Sequence, residues 1–97
     1  MCYNDPVAAG ALRAALSAGL RVPEDIAVIG AGNVHYTDFL RVPLSTVDQH
    51  STAIGESAAD LLLELIRATT APKPRAVILE PTLIARESSL RNGRGVR

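Results

Sequence analysis

The stretch 19–30, GLRVPEDIAVIG, constrains the fold of this chain more than any other, because it joins a helix stop, a fixed turn and an apolar run. Gly19 closes a helical pattern where a residue of positive φ is wanted, and Pro23 prevents the helix from resuming. The run 26–29 is then apolar without alternation, which predicts a strand covered on both faces, as in a parallel sheet.

Upstream, Asp5 followed by Pro6 marks a helix start: an acceptor side chain caps the free amides, and proline in the first turn loses no bond. The helix is expected over 6–18, with Val7, Ala8, Ala11, Leu12, Ala15 and Leu16 as its apolar stripe and Arg13 and Ser17 facing outward. Downstream, Ile54, Ala58, Leu61, Leu62, Leu65 and Ile66 recur on one helical face, predicting a second helix over 51–68 with Glu56, Asp60, Glu64 and Arg67 on its other faces. Gly55 inside it costs about 0.8–1.0 kcal/mol relative to Ala, so it is expected to mark close backbone packing. The segment 69–75, with two prolines, reads as a loop, and 76–79 and 82–86 as short strands separated by Glu80-Pro81. The plan is α/β, a parallel-sheet, three-layer arrangement with two main helices and about four short strands. A parallel sheet is built from strand, helix, strand units, yet only residues 1–3 precede the helix cap as a possible strand stub. The chain is therefore expected to start within a fold, and to be marginal or self-associated on its own because unpaired strand edges would be exposed.

The 97 residues suffice for one small domain, 47% of them are hydrophobic, and the formal charge is zero. That balance places the chain among soluble globular proteins and removes an electrostatic case for nucleic-acid binding by these residues. Residues 90–97, three of them Arg, read as a disordered tail rather than a phosphate-binding arm. Cys2 is the single cysteine, so no internal disulfide forms, and a cytoplasmic location is expected. No apolar run is long enough to span a bilayer, no secretion signal opens the chain, and no membrane partner is expected.

Gly30-Ala31-Gly32 after an apolar run looks like the opening of a dinucleotide fingerprint, and Asp48 falls near the position of its ribose-binding acid. Against that reading, His35 occupies the position of the third glycine, and 33–43 is too short and too poor in apolar periodicity to supply the phosphate-binding helix. His35 and His50, the two imidazoles, have no second ligand at i+4 and no cysteine cluster, so neither a metal nor another cofactor is expected. Nucleophile-elbow and paired-carboxylate patterns are also missing, and an enzyme is not expected.

Asn4-Asp5, the Ala9-Gly10-Ala11-Leu12 run, GLRVPEDIAVIG, Pro43-Leu44-Ser45-Thr46-Val47, Gly55 with Ala58-Ala59 and Leu61-Leu62, and Leu83-Ile84-Ala85-Arg86-Glu87-Ser88 occur in one order and spacing. This ordered set resembles the C-terminal part of LacI/GalR-type transcriptional repressors. The resemblance implies a truncated ligand-sensing domain over 1–89, like that of periplasmic binding proteins of type I, with two α/β lobes around a cleft. It implies a small-molecule effector of the sugar or nucleoside class, self-association as a dimer, and DNA contact only through a headpiece absent from this chain. By analogy 4–43 belongs to the second lobe, Val47 lies near a crossover, the 51–68 helix packs in the first lobe and 82–88 returns to the second.

The same resemblance implies ligand contacts at Asn4, Asp5, Gly32 and Asn33. A carboxamide at Asn4 suits a hydroxyl-rich ligand because it donates and accepts at once. Asp5 has the alternative role of ordering the helix start, and Tyr3, near the expected cleft, the alternative of packing. Gly32 stands where the family usually places a ligand-binding Asp, with Asn33 beside it able to take part of that role. The implied interface uses Ala9, Leu12, Arg13, Tyr36 and Leu40, for some of which intramolecular packing is an equal alternative. A solute-binding module of a transport system shares the fold and is the second reading; a dinucleotide-binding oxidoreductase is the third.

Overall fold

The computed structural model describes residues 1–91. Its elements in chain order are α1 (Asp5–Ser17), a short 3-10 turn (Thr37–Phe39), β1 (Thr46–Asp48), α2 (Ser51–Arg67) and β2 (Thr82–Ile84). Of the expected tail, Leu90 and Arg91 are described, with Arg91 Nε donating to the Pro23 carbonyl at 3.3 Å; residues 92–97 lie outside the described residues.

The passage out of α1 follows the expectation from Gly19. Gly19 has φ +84°, and its amide donates to the Leu16 carbonyl while the Leu20 amide donates to the Ala15 carbonyl. This pair of bonds is the glycine-closed helix end in which a left-handed residue lets the chain reverse and satisfy the last carbonyls. The turn that follows, with a cis Val22–Pro23 peptide, is tied by Asp25: its Oδ2 accepts the Arg21 amide at 2.8 Å and its Oδ1 meets Arg21 Nη2 at 3.0 Å. The hydrogen bonds from the Arg21 guanidinium first, then the one from its amide, hold the Asp25 carboxyl below its usual range.

Packing is concentrated around α1. Ala8, Leu12 and Ala15, at i, i+4 and i+7, are buried against Val22, Val28, Val42 and Leu44. The buried stripe is narrower than expected, since Val7 and Ala11 are exposed. Small residues at two of its three positions let the backbone of 28–30 approach α1 closely.

The strands correct the sequence expectation. The run 26–29 forms one parallel bridge, Ile29 to Ser45, rather than a strand covered on both faces; Ile26 and Ala27 are exposed. Beyond that bridge the chain stays extended, with Gly30 N donating to the Ser45 carbonyl at 2.9 Å and Gly32 N to the Val47 carbonyl at 2.8 Å. The stub at the N-terminus contributes one bond, Cys2 N to the Ile29 carbonyl at 2.8 Å. Residues 76–79 have no strand neighbour, and 82–86 narrows to β2, which pairs antiparallel with β1 in the register Thr46↔Ile84, Val47↔Leu83 and Asp48↔Thr82. Two strands replace the expected four because strand character depends on a neighbour for the amide and carbonyl groups, and 76–79 makes no ladder pairing among the described residues.

The second helix appears as expected, ending at Arg67 rather than 68, but no residue of α2 is buried. Its apolar face is open: Ile54, Leu62, Leu65 and Ile66 are 47–68% exposed. Gly55 does not mark close packing, because a Cβ built there meets nothing within 4 Å. The described chain is correspondingly long, 62 × 27 × 18 Å.

Candidate functional site

The site is organised by a residue that faces away from solvent. Asn4, not Asp5, caps α1: its side-chain oxygen accepts the Val7 amide at 2.9 Å. Asp5 is the first helical residue and is fully buried. Its carboxylate accepts the Thr46 hydroxyl at 2.6 Å through Oδ1 and the Val34 amide at 2.8 Å through Oδ2, while its own amide donates to the Ala31 carbonyl at 3.0 Å. One side chain thus joins the start of α1, the 31–34 loop and the start of β1. A buried carboxylate without such donors would carry a desolvation cost of several kcal/mol, so the three segments are held in one arrangement.

Gly30 serves that arrangement. A Cβ on Gly30 would collide with the Asp5 carboxylate and lie 3.1 Å from Ala8 Cβ, so only glycine lets this backbone pass α1. Gly32 has φ +120°, and a Cβ there would lie no nearer than 3.7 Å to Asp5 Oδ2. After Gly32 the chain makes a 3-10 turn of three residues, Thr37–Phe39, and not a phosphate-binding helix. The geometry of a dinucleotide fingerprint is therefore missing from the described residues.

Asn33 follows with φ +52° and is held on every side. Its amide donates to Thr46 Oγ1 at 3.1 Å, its Nδ2 to Asp48 Oδ2 at 3.2 Å, and its Oδ1 accepts Arg86 Nη2 at 3.1 Å. Arg86 also donates to Thr37 Oγ1 at 2.8 Å and to the Leu44 carbonyl at 3.0 Å. These contacts span more than fifty residues of sequence, and no local pattern around Asn33 announces them. Ser88 Oγ also donates to the Val28 carbonyl and accepts the Ser45 amide, tying residue 88 to the backbone at 28 and 45.

Gly32 and Asn33 line an open cavity of about 450 Å³ together with Asp48, His50, Ser51, Thr52, Ala53 and Glu56. His50 adopts a left-handed conformation, φ +57°, ahead of α2, and its amide donates to Asp48 Oδ1 at 2.8 Å. That bond, the one from Asn33 and the nearby imidazole hold the Asp48 carboxyl below the usual carboxylate range. His50 Nε2 lies 2.9 Å from Thr82 Oγ1, so the cavity rests on the β1–β2 junction. Of the four residues expected to touch a ligand, the structure brings Gly32 and Asn33 to this cavity. Asn4 and Asp5 do not line it: Asn4 caps α1, and Asp5, being buried and committed to Thr46 and Val34, holds the rim instead. Asp48, His50 and Ser51 were not among the contacts the resemblance implied, and Asp48 was offered only as the acid of a dinucleotide fingerprint; the Asn33–Asp48 bond ties Asp48 to the 31–34 loop.

A second depression, about 310 Å³, is lined by Ala9, Leu12, Arg13, Leu16, Ser17, Leu40 and Arg41. Four of the five expected interface residues meet there. Tyr36 does not; its ring lies edge-on to His35 at 5.7 Å. Leu12 belongs equally to the core, being 3% exposed.

A protein family described as a periplasmic binding protein-like domain matches residues 1–89. A PurR transcriptional repressor of Pasteurella multocida is 43% identical over 88 residues, covering 90% of this chain and 26% of the relative. The ribose operon repressor of Haemophilus influenzae is 36% identical over 87 residues, with the same two coverages. Among solved structures, a CelR regulator in complex with cellobiose has a TM-score of 0.83 at 33% identity, covering 90% of this chain and 26% of that one. A LacI family regulator from an Arthrobacter species in complex with lactose has a TM-score of 0.82 at 36% identity, covering 91% and 33%. The chain spans about a quarter of the length of the curated relatives it matches.

Proposed function

The chain belongs to the periplasmic binding protein-like domain family, and on that premise we propose that it is part of the effector-sensing domain of a LacI-type transcriptional regulator. The relatives that support this reading are PurR and ribose operon repressors and transcriptional regulators solved in complex with cellobiose or lactose. The observation that carries it here is the loop 31–34, held by buried Asp5 against α1 and β1 so that Gly32 and Asn33 face one cavity. A preorganised rim of this kind lowers the ordering cost of binding a small polar ligand. The effector is a small molecule; contact with DNA belongs to parts of a regulator other than these residues, whose net charge is zero. Binding would be coupled to regulation by favouring one arrangement of the domain over another.

The depression at Ala9, Leu12, Arg13 and Leu40 is the surface we assign to self-association, in keeping with a lac repressor dimer among the similar structures, which has a TM-score of 0.76. No helix among the described residues is long and apolar enough to cross a membrane. Isothermal titration of the chain with D-ribose, cellobiose, lactose and adenosine tests the proposal. Saturable heat with at least one, lost on Asn33→Ala, supports it; no saturable binding to any of the four contradicts it.

A further inference from the structure

The sequence offered Asp48 only as the ribose-binding acid of a dinucleotide fingerprint whose geometry is missing among the described residues, and the cavity puts it in the position to contact a different ligand. Its carboxylate has about four lone-pair sites. Two are taken, by the His50 amide at 2.8 Å and Asn33 Nδ2 at 3.2 Å, and the side chain remains 27% exposed. Both bonds fix its orientation without exhausting its capacity to accept. Gly32 lines the same cavity and carries no side chain of its own, so its backbone is what a ligand meets there.

The rest of the lining narrows what that ligand is. Among the described residues the cavity contains the carboxylates of Asp48 and Glu56, the hydroxyls of Ser51 and Thr52, and no lysine or arginine. Arg86, which reaches Asn33, is spent on Thr37, the Leu44 carbonyl and Asn33 and does not line the cavity. Asp48 and Glu56 repel a phosphate or carboxylate group, and the one basic side chain among the described lining residues, the His50 imidazole, lies 3.9 Å from Asp48 Oδ1 and so faces a carboxylate already. Apart from the His50 imidazole there is no ring on which a nucleobase can stack. The chemistry left is that of a neutral molecule rich in hydroxyl donors.

We propose that Asp48 is the specificity-determining residue of this cavity, accepting hydroxyl protons from a neutral polyol and, with Glu56, turning away the phosphorylated form of the same ligand. This rests on the effector-binding reading above. The experiment titrates the 97-residue chain with D-ribose and with cellobiose, each against its phosphate ester. At least one neutral sugar is expected to bind at least about tenfold more tightly than its ester. Asp48→Asn keeps an acceptor for the His50 amide but loses the charge; it should weaken the sugar by about tenfold, the loss expected of one charge-assisted hydrogen bond. It should also narrow the gap between sugar and ester. Glu56→Gln, at an exposed helix position, tests the exclusion separately and should tighten ester binding alone. Sugar and ester weakened equally by Asp48→Asn, or a ratio untouched by both variants, overturns the role of Asp48 while leaving the effector reading intact. Wild-type chain that binds neither sugar overturns the role of Asp48, and the effector reading falls with it only when lactose and adenosine fail as well.

Discussion

Gly30 passes so close to Asp5 that no side chain fits between them, and this one contact sets the position of the loop that follows. Gly30→Ala is expected to destabilise the chain by about 2–3 kcal/mol, the usual cost of forcing extra volume into a packed site, measured by urea denaturation. Asp5→Ala is expected to cost a similar amount, because it leaves the buried Thr46 hydroxyl and the Val34 amide without their acceptor. Asp48 gives a different test. Its carboxyl is held down by the His50 amide and Asn33, so it contributes stability that is complete above the ordinary carboxylate range and is lost as the pH falls through its lower native value. Its titration followed by carboxyl NMR should show a midpoint below that of an unperturbed aspartate, about 3.9. Asn33→Ala should move the midpoint upward; a midpoint at or above the ordinary value would contradict the bonding around it. At this scale the sequence was legible only locally. Asn4-Asp5 announced a helix start, but which of the two caps and which is buried depends on Thr46 and Val34, far along the chain.

At the scale of elements, the two helices differ in what sustains them. Helix α1 buries Leu12 among Val22, Val28, Val42 and Leu44, whereas α2 keeps its leucines exposed. Leu12→Ala is therefore expected to cost about 3 kcal/mol through lost contacts and the cavity left behind. Leu65→Ala, at a residue 57% exposed, is expected to stay within about 0.5 kcal/mol by thermal unfolding of the same chain. Comparable losses at both sites would contradict the packing described. Both helices could be read from periodicity, because the 3.6-residue repeat is written within each segment. The strands could not. The apolar run 26–29 suggested burial on both faces, but a strand is defined by its neighbours, and here it gains only the Ile29–Ser45 bridge and scattered backbone bonds. Gly55 misled for a related reason: a glycine in a helix signals close approach only when another element lies against it.

Over the whole molecule, the chain is extended, with a Cα radius of gyration of 18.5 Å where a compact chain of this length has about 13 Å. The open face of α2 and the exposed Val77, Ile78 and Leu83 leave much apolar surface in water. Sedimentation is accordingly expected to show a mass that rises with concentration, and a concentration-independent monomer would contradict this. The cavity at Gly32 and Asp48 joins the packed part around α1 to the first turns of α2, which supply Ser51, Thr52, Ala53 and Glu56. Its existence was foreshadowed by Gly32 and Asn33, while its floor became visible only when β1 and α2 were placed. Hydrogen exchange of the chain, with and without a saturating neutral sugar from the panel above, tests the central claim most directly. We expect slowed exchange at the amides of Gly32, Asn33 and Ser51 with little change along the far turns of α2; no protection at these three positions would contradict the effector site.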